Sequence, residues 1–147
     1  PPRAIGERLL VMPRWEASLA ADGRLALIIE PGRAFGTGHH GSTEGCLVLL
    51  ERVLAERPGA RVVDIGTGSG ILAVAAVKLG AITVLGIDID PDATSAAQAN
   101  AERNGCADRI EIALAYGLFG SLERHRDSLR VRVTCRPGLQ ARRARRG

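Results

Sequence analysis

Aromatic residues are scarce in this 147-residue sequence, which contains one Trp, one Tyr and two Phe. Hydrophobic residues nevertheless make up 46% of the chain, which is enough for a sizeable core in one domain. That core must be built from Val, Leu, Ile and Ala, a composition typical of sheets covered by alanine-rich helices. We therefore expect an α/β fold.

Cysteine is also rare, and long hydrophobic runs are absent. Cys46, Cys106 and Cys135 are odd in number and match neither a disulfide framework nor a zinc spacing, so we expect free or buried thiols. No apolar run approaches the length of about 18 residues that suggests a membrane span, and no signal-peptide pattern occurs. We predict a cytoplasmic protein with no membrane partner. The chain begins at Pro1 rather than Met, and we expect it to be a fragment.

Basic charge is concentrated at one end of the chain. The net charge is +4, yet residues 124–147 contain nine Arg and one acid, Asp127, so this segment carries +8 and the rest carries −4. A basic charge spread over the whole chain would suggest a nucleic-acid partner. An arginine-rich tail more often contacts phosphates without specificity, so we expect no specific nucleic-acid partner. RNA binding through this tail stays open as an alternative.

The first part of the chain contains two short apolar runs followed by a helical pattern. Residues 8–12 and 25–30 are predicted strands, separated by a polar stretch with an Asp-Gly turn pair. Ser42 or Thr43 can cap a helix whose apolar residues recur at three- and four-residue spacing and which ends before Pro58.

Strands and helices alternate after residue 60. The predicted elements are strands at 61–66, 82–88 and 109–114, and helices at 71–80 and 91–103. This alternation predicts a doubly wound parallel sheet with right-handed crossovers. The pattern fails beyond Tyr116, where one possible short strand precedes a series of arginines. We therefore expect the sheet to be incomplete on its C-terminal side.

A glycine-rich turn, "DIGTGSG", joins the first of these strands to a helix. Gly66 and Gly68 allow a tight turn and close approach of a ligand, and Gly70 allows the helix to start close to the sheet. The spacing is G-x-G-x-G rather than the G-x-G-x-x-G of dinucleotide-binding enzymes. Asp64 can order the amino-acid end of a cationic sulfonium ligand. Both features favour S-adenosylmethionine over NAD, while an NAD-dependent enzyme stays open as an alternative.

A second acid follows at the end of the next predicted strand. Asp88 lies 22 residues after Gly66, where a carboxylate can accept hydrogen bonds from both hydroxyls of a ribose. Asp90 precedes a proline at the start of a predicted helix and is interpreted as a helix cap rather than a ligand.

The segment "EPGRAFGTGHH" at 30–40 is interpreted as a loop that covers the cofactor. Phe35 can cover the adenine or the methionine part, or can anchor the loop in the core. His39 and His40 are adjacent, so their side chains diverge, and the remaining His125 lies in the basic tail. We therefore predict no metal site.

Three consecutive blocks resemble one known family: "EPGRAFGTGHHGSTEGCLVLLE", "VVDIGTGSGILAVAAVKLGA" and "GIDIDPDATSAAQANAERNG". They resemble the methyltransferases that trimethylate the eleventh protein of the bacterial large ribosomal subunit, over about residues 3–115. The resemblance implies a Rossmann-like class I methyltransferase that uses S-adenosyl-L-methionine to methylate lysine and N-terminal amines of that protein. In the family, the residues that match Thr43, Gly66 and Asp88 contact the cofactor. His40 matches the usual histidine of the loop, whereas His39 and Gly41 are departures.

The larger departure lies near the C-terminus. The family carries an "N-I-L-A" motif whose asparagine lies by the reacting methyl group, but no Asn follows Asn104 here. We therefore assign no catalytic residue and expect the fragment to be deficient in catalysis. The predicted organisation is a linker with strands at 1–29, a partial cofactor-binding core at 30–117, and a disordered or non-native basic tail at 118–147. A class I methyltransferase with another protein or a small molecule as acceptor stays open.

Overall fold

The computed structural model describes residues 1–17, 22–30, 40–114 and 131–134. A three-stranded sheet near the N-terminus comprises β1 (Arg3–Ile5), β2 (Leu9–Met12) and β3 (Leu25–Ile28), with a short 3-10 helix at Arg14–Glu16. Strand β1 is antiparallel to β2, and β2 is parallel to β3. The two predicted strands are confirmed as β2 and β3. No sequence pattern predicts β1, because three residues are too few to show alternation.

The second sheet has four parallel strands in the order β6-β5-β4-β7. They are β4 (Arg61–Ile65), β5 (Thr83–Asp88), β6 (Ile110–Leu114) and β7 (Val131–Thr134). Helix α2 (Ile71–Lys78) connects β4 to β5, and α3 (Pro91–Arg103) connects β5 to β6. The predicted α/β fold with a parallel sheet is therefore confirmed. Strand β7 is the short strand expected after residue 116, and it pairs with β4.

Helix α1 (His40–Glu56) begins earlier than the sequence predicts. Ser42 and Thr43 lie inside its first turn, so the prediction that one of them is the capping residue is wrong. Both residue types are tolerated there, because the N–H groups of a first turn need no partner within the helix. The predicted end before Pro58 is confirmed.

One core joins the two sheets. It contains alternate side chains of β2 and β3, the inner face of α1, nearly all of α2 and one face of β4 and β5. A smaller cluster lies on the other face of the parallel sheet and consists of Val63, Leu85 and Ile87, with Ile65 and Ala113 packed against them. Because side chains alternate along a strand, Asp64 faces the helices while its neighbours Val63 and Ile65 face the opposite side.

The cysteines differ from one another. Cys106 is free and buried, as expected. Cys46 is disulfide-bonded, so the expectation of free thiols is wrong for this residue. Spacing along the chain cannot reveal a pair that only the fold brings together. Among the described residues, no helix is both long enough and apolar enough to cross a membrane.

Candidate functional site

The glycine turn lies at the carboxyl end of β4 and is fixed to the end of β5. Gly66, Gly68 and Gly70 have φ values of 77°, 55° and 79°, in the left-handed region that favours glycine. The N–H groups of Gly66 and Thr67 both donate to the carbonyl of Ile87, at 2.7 and 2.9 Å. This edge of a parallel sheet is where ligands of doubly wound domains bind.

The outer glycines of the turn have different neighbours. A Cβ atom on Gly66 would meet nothing within 4 Å, so only its backbone conformation requires glycine. A Cβ atom on Gly70 would lie 3.1 Å from Cα of Ala97 in α3. The close approach expected at Gly70 is therefore to α3, and this glycine lets α3 pack against the turn.

Gly86, which no motif singles out, shapes the same site from within β5. It pairs with Asp64 across the sheet, and a Cβ atom on it would lie 2.9 Å from both Thr67 Oγ1 and Ile112 Cδ1. A side chain at this position would displace Thr67. A glycine inside a strand often marks such a close approach, and that signal could have identified it.

Asp64 is buried beneath the turn, with a relative exposure of 1%. Its Oδ2 accepts a hydrogen bond of 2.7 Å from Thr67 Oγ1, whereas its Oδ1 has no hydrogen-bond partner among the described residues. Burial, and to a smaller degree the nearby Asp88, raises the pKa of Asp64 to about 6, whereas the Thr67 hydrogen bond and the nearby N–H of Ala73, which does not reach Oδ1 with hydrogen-bonding geometry, act in the opposite direction. The carboxylate is therefore only half satisfied, and a cation or a strong donor would stabilise its charged form.

Asp88, at the end of β5, is only partly buried and is held by two backbone groups. Its Oδ2 accepts from the N–H of Gly68 and its Oδ1 from the N–H of Asp90, both at 3.0 Å. Asp88 therefore helps to fix the glycine turn, and each oxygen retains a lone pair for a ligand hydroxyl. Asp90 caps α3 by accepting from the N–H of Asp92 at 2.9 Å, as predicted.

The remaining predicted residues are less closely defined. Thr43 lies in the first turn of α1 and is partly buried. Phe35 and His39 lie outside the described residues, and His40 is the first residue of α1. No group of three or more His, Cys, Asp or Glu side chains able to hold a metal ion occurs within the described ranges.

These residues together form a site with two chemically different halves. The buried Asp64 provides a negative charge that lacks a full set of partners, and the more accessible Asp88 provides acceptors next to exposed backbone of the turn. Such a site suits a ligand that combines a cationic group with a hydroxylated sugar.

Comparison with known proteins identifies relatives over most of the chain. The family described as "Ribosomal protein L11 methyltransferase (PrmA)" matches residues 1–129, which extends into the segment predicted to be a tail. The ribosomal protein L11 methyltransferase of Symbiobacterium thermophilum is 51% identical over 114 residues, or 78% of this chain and 36% of that protein. The enzyme of the same name from Vibrio parahaemolyticus is 50% identical over 113 residues, or 77% of this chain and 37% of that protein.

A solved structure agrees with these matches. The ribosomal protein L11 methylase of Lactobacillus delbrueckii subsp. bulgaricus superposes with a TM-score of 0.66 at 33% identity, covering 80% of this chain and 57% of that one. The chain spans somewhat more than a third of the length of the curated relatives it matches.

Proposed function

Since this chain belongs to the ribosomal protein L11 methyltransferase family, we propose that it carries the S-adenosylmethionine-binding part of an enzyme that methylates lysine and N-terminal amines of ribosomal protein L11. The ribosomal protein is then the partner of the whole enzyme, and the cytoplasm is the compartment where the two meet. The names of the relatives support this acceptor, and the geometry of the site supports the cofactor.

The observation that carries the proposal is the unpartnered Oδ1 of Asp64. A buried carboxylate without a full set of hydrogen bonds is unfavourable, and the charged form becomes favourable when a cation binds beside it. S-adenosylmethionine has an ammonium group and a sulfonium centre, whereas NAD would place a pyrophosphate at this turn. The negative charge of Asp64 therefore favours the sulfonium cofactor.

The other residues hold the remaining parts of the cofactor. Asp88 would accept hydrogen bonds from the ribose hydroxyls, and the backbone of Gly66 and Gly68 would allow close approach of the ligand. Thr43 would contact the cofactor from the first turn of α1, and the sequence prediction that Phe35 covers the cofactor concerns a residue outside the described ranges.

When bound, S-adenosylmethionine supplies an electrophilic methyl carbon, and its transfer to an amine leaves a neutral thioether. The residues of this chain contribute alignment, because methyl transfer requires little acid or base chemistry. The chain lacks an asparagine after Asn104, the residue that the family resemblance implies beside the reacting groups. We therefore propose that the cofactor binds here but that methyl transfer by the 147-residue chain is weak.

Calorimetric titration with S-adenosylhomocysteine and, separately, with NAD tests the choice of cofactor. We expect S-adenosylhomocysteine to bind and NAD not to displace it. Tighter binding of NAD would contradict the proposal. A methylation assay with L11 tests the second part, since robust methylation by this chain would show that the missing asparagine is not required.

A further inference from the structure

A buried amide on α3 contacts two separate parts of the chain. Asn100 has a relative exposure of 2%. Its Nδ2 donates to the carbonyl of Ser69 at 2.8 Å, and its Oδ1 accepts from the N–H of Glu30 at 3.3 Å and from Nη1 of Arg103 at 2.5 Å. The side chain therefore has partners for both ends of the amide, as a buried polar group requires.

The first of these partners belongs to the glycine turn. Ser69 stands between Gly68, whose N–H donates to Asp88, and Gly70, which packs against Ala97 one turn earlier in α3. Helix α3 thus contacts two successive residues of the turn, one through van der Waals packing and one through a hydrogen bond. Moving the Ser69 carbonyl would rotate the peptide units that place Gly68 and Gly70.

The second partner belongs to the chain that leaves β3. Glu30 directly precedes the glycine-rich segment 31–39 in sequence, and its carboxylate also lies 3.4 Å from Nη2 of Arg103. One turn beyond Asn100, Asn104 accepts from the N–H of Ile28 at 2.8 Å and donates to its carbonyl at 2.7 Å. Side chains at the end of α3 therefore hold residues 28–30 through hydrogen bonds to backbone groups, and of these side chains only Asn100 also reaches the glycine turn.

We propose that Asn100 is a positioning residue that fixes the glycine turn relative to the end of β3. Its amide is short and buried, and besides Arg103 Nη1 it bonds two backbone groups, the Ser69 carbonyl and the Glu30 N–H, so it permits only a narrow range of distances between Ser69 and Glu30. Cofactor affinity then depends on Asn100 without any contact between this side chain and the cofactor. The effect on cofactor affinity rests on the proposed function, whereas the effect on the geometry of the glycine turn does not.

The test compares the same substitution at two neighbouring positions. Asn100→Asp keeps the shape and the acceptors but cannot donate to Ser69. Asn104→Asp makes the same chemical change at a side chain whose partners among the described residues, Ile28 and the backbone carbonyl of Asn100, lie outside the turn. Two quantities are measured on the full chain, at a temperature where circular dichroism shows each variant folded. The first is the Kd for S-adenosylhomocysteine. The second is the hydrogen-exchange rate of the Gly70 N–H, which donates to the carbonyl of Thr67 at 2.8 Å.

We expect Asn100→Asp to raise Kd at least about tenfold and to speed exchange at Gly70. Asn104→Asp should lower the melting temperature yet leave Kd within a factor of about two of wild type and Gly70 exchange unchanged. Equal changes in the two variants, or none in Asn100→Asp, would overturn the inference.

If wild type does not bind the ligand, the proposed function fails, and Gly70 exchange still decides the role of Asn100. Should Asn100→Asp not fold, Asn100→Ser and Asn104→Ser replace the pair in the same comparison.

Discussion

Two aspartates near the ends of neighbouring strands have opposite surroundings. Asp64 in β4 is buried, accepts one side-chain hydrogen bond and has an oxygen without a partner among the described residues. Asp88 at the end of β5 is partly exposed, and both of its oxygens accept from backbone N–H groups. At the same edge of one sheet, the Asp64 carboxylate therefore lacks a hydrogen-bond partner for one oxygen, whereas the Asp88 carboxylate has a partner for each.

The difference indicates two separate tasks. Burial of Asp64 costs free energy in the absence of a cation, and ligand binding relieves that cost. Asp88 stabilises the glycine turn whether or not a ligand is present, because it holds Gly68 and Asp90. Stability and affinity should consequently respond in different ways when each carboxylate is changed.

Replacing the Asp64 carboxylate is expected to have the largest effect. Asp64→Asn removes the charge that pairs with the ammonium group of the ligand, so affinity for S-adenosylhomocysteine should fall more than about tenfold. Stability at neutral pH should not fall, because the loss of a buried charge offsets the cost of an unsatisfied amide, about 1–3 kcal/mol. Calorimetry and chemical denaturation measure the two quantities, with Asp92→Asn on the exposed start of α3 as control. A loss of stability without a loss of affinity would contradict the role assigned to Asp64.

The pH dependence of stability should separate Asp64 from other acids. Burial raises its pKa to about 6 in the folded chain, against an ordinary value of 3.8. Below about pH 4 the group is protonated in both states. Between about pH 4 and 6 the unfolded chain loses the proton first, so this group lowers the free energy of unfolding as pH rises, by about 3 kcal/mol in total.

Urea denaturation of wild type and Asp64→Asn from pH 4 to 7 measures this contribution as the difference between the two curves. The difference should grow in favour of the variant up to about pH 6 and then stay constant. Parallel curves would show that Asp64 has no raised pKa.

Gly86→Ala should weaken ligand binding less than Asp64→Asn does, but it should lower the stability of the fold. The added Cβ atom would lie 2.9 Å from Thr67 Oγ1 and so would disturb the hydrogen bond that Thr67 donates to Asp64. We expect destabilisation of about 1–3 kcal/mol and weaker ligand binding.

Gly45→Ala is the matched control, because a Cβ atom there meets nothing within 4 Å. It lies within α1 and should raise the free energy of unfolding by up to about 1 kcal/mol. Comparable losses in both variants would remove the special role of Gly86.

The parallel sheet and its helices were accessible from sequence because they depend on local patterns. The alternation from β4 to β6 follows apolar periodicity, and the cap at Asp90 follows from a short polar side chain before a proline. Strand β1 and the start of α1 were not accessible, since three residues carry no period and the beginning of a helix is the least certain part of its pattern.

The candidate site was accessible only in part. Sequence spacing placed Asp64 and Asp88 at one edge of the sheet, because parallel strands end on the same side. It could not show that Asp64 is buried with an unpartnered oxygen, nor that Gly86 lies against Thr67. Likewise, the contact of Asn100 with Ser69 joins residues 31 positions apart, and only the packing of α3 brings them together.

The affinity of this chain for S-adenosylhomocysteine, with and without the Asp88 carboxylate, decides whether this sheet edge is the cofactor site. Calorimetric titration under identical conditions measures this affinity for wild type, for Asp88→Ala and for the control Asp92→Ala. We predict that wild type and Asp92→Ala bind equally well and that Asp88→Ala binds at least about tenfold more weakly. Undiminished affinity in Asp88→Ala, or no binding by wild type, would contradict the assignment of this sheet edge as the cofactor site.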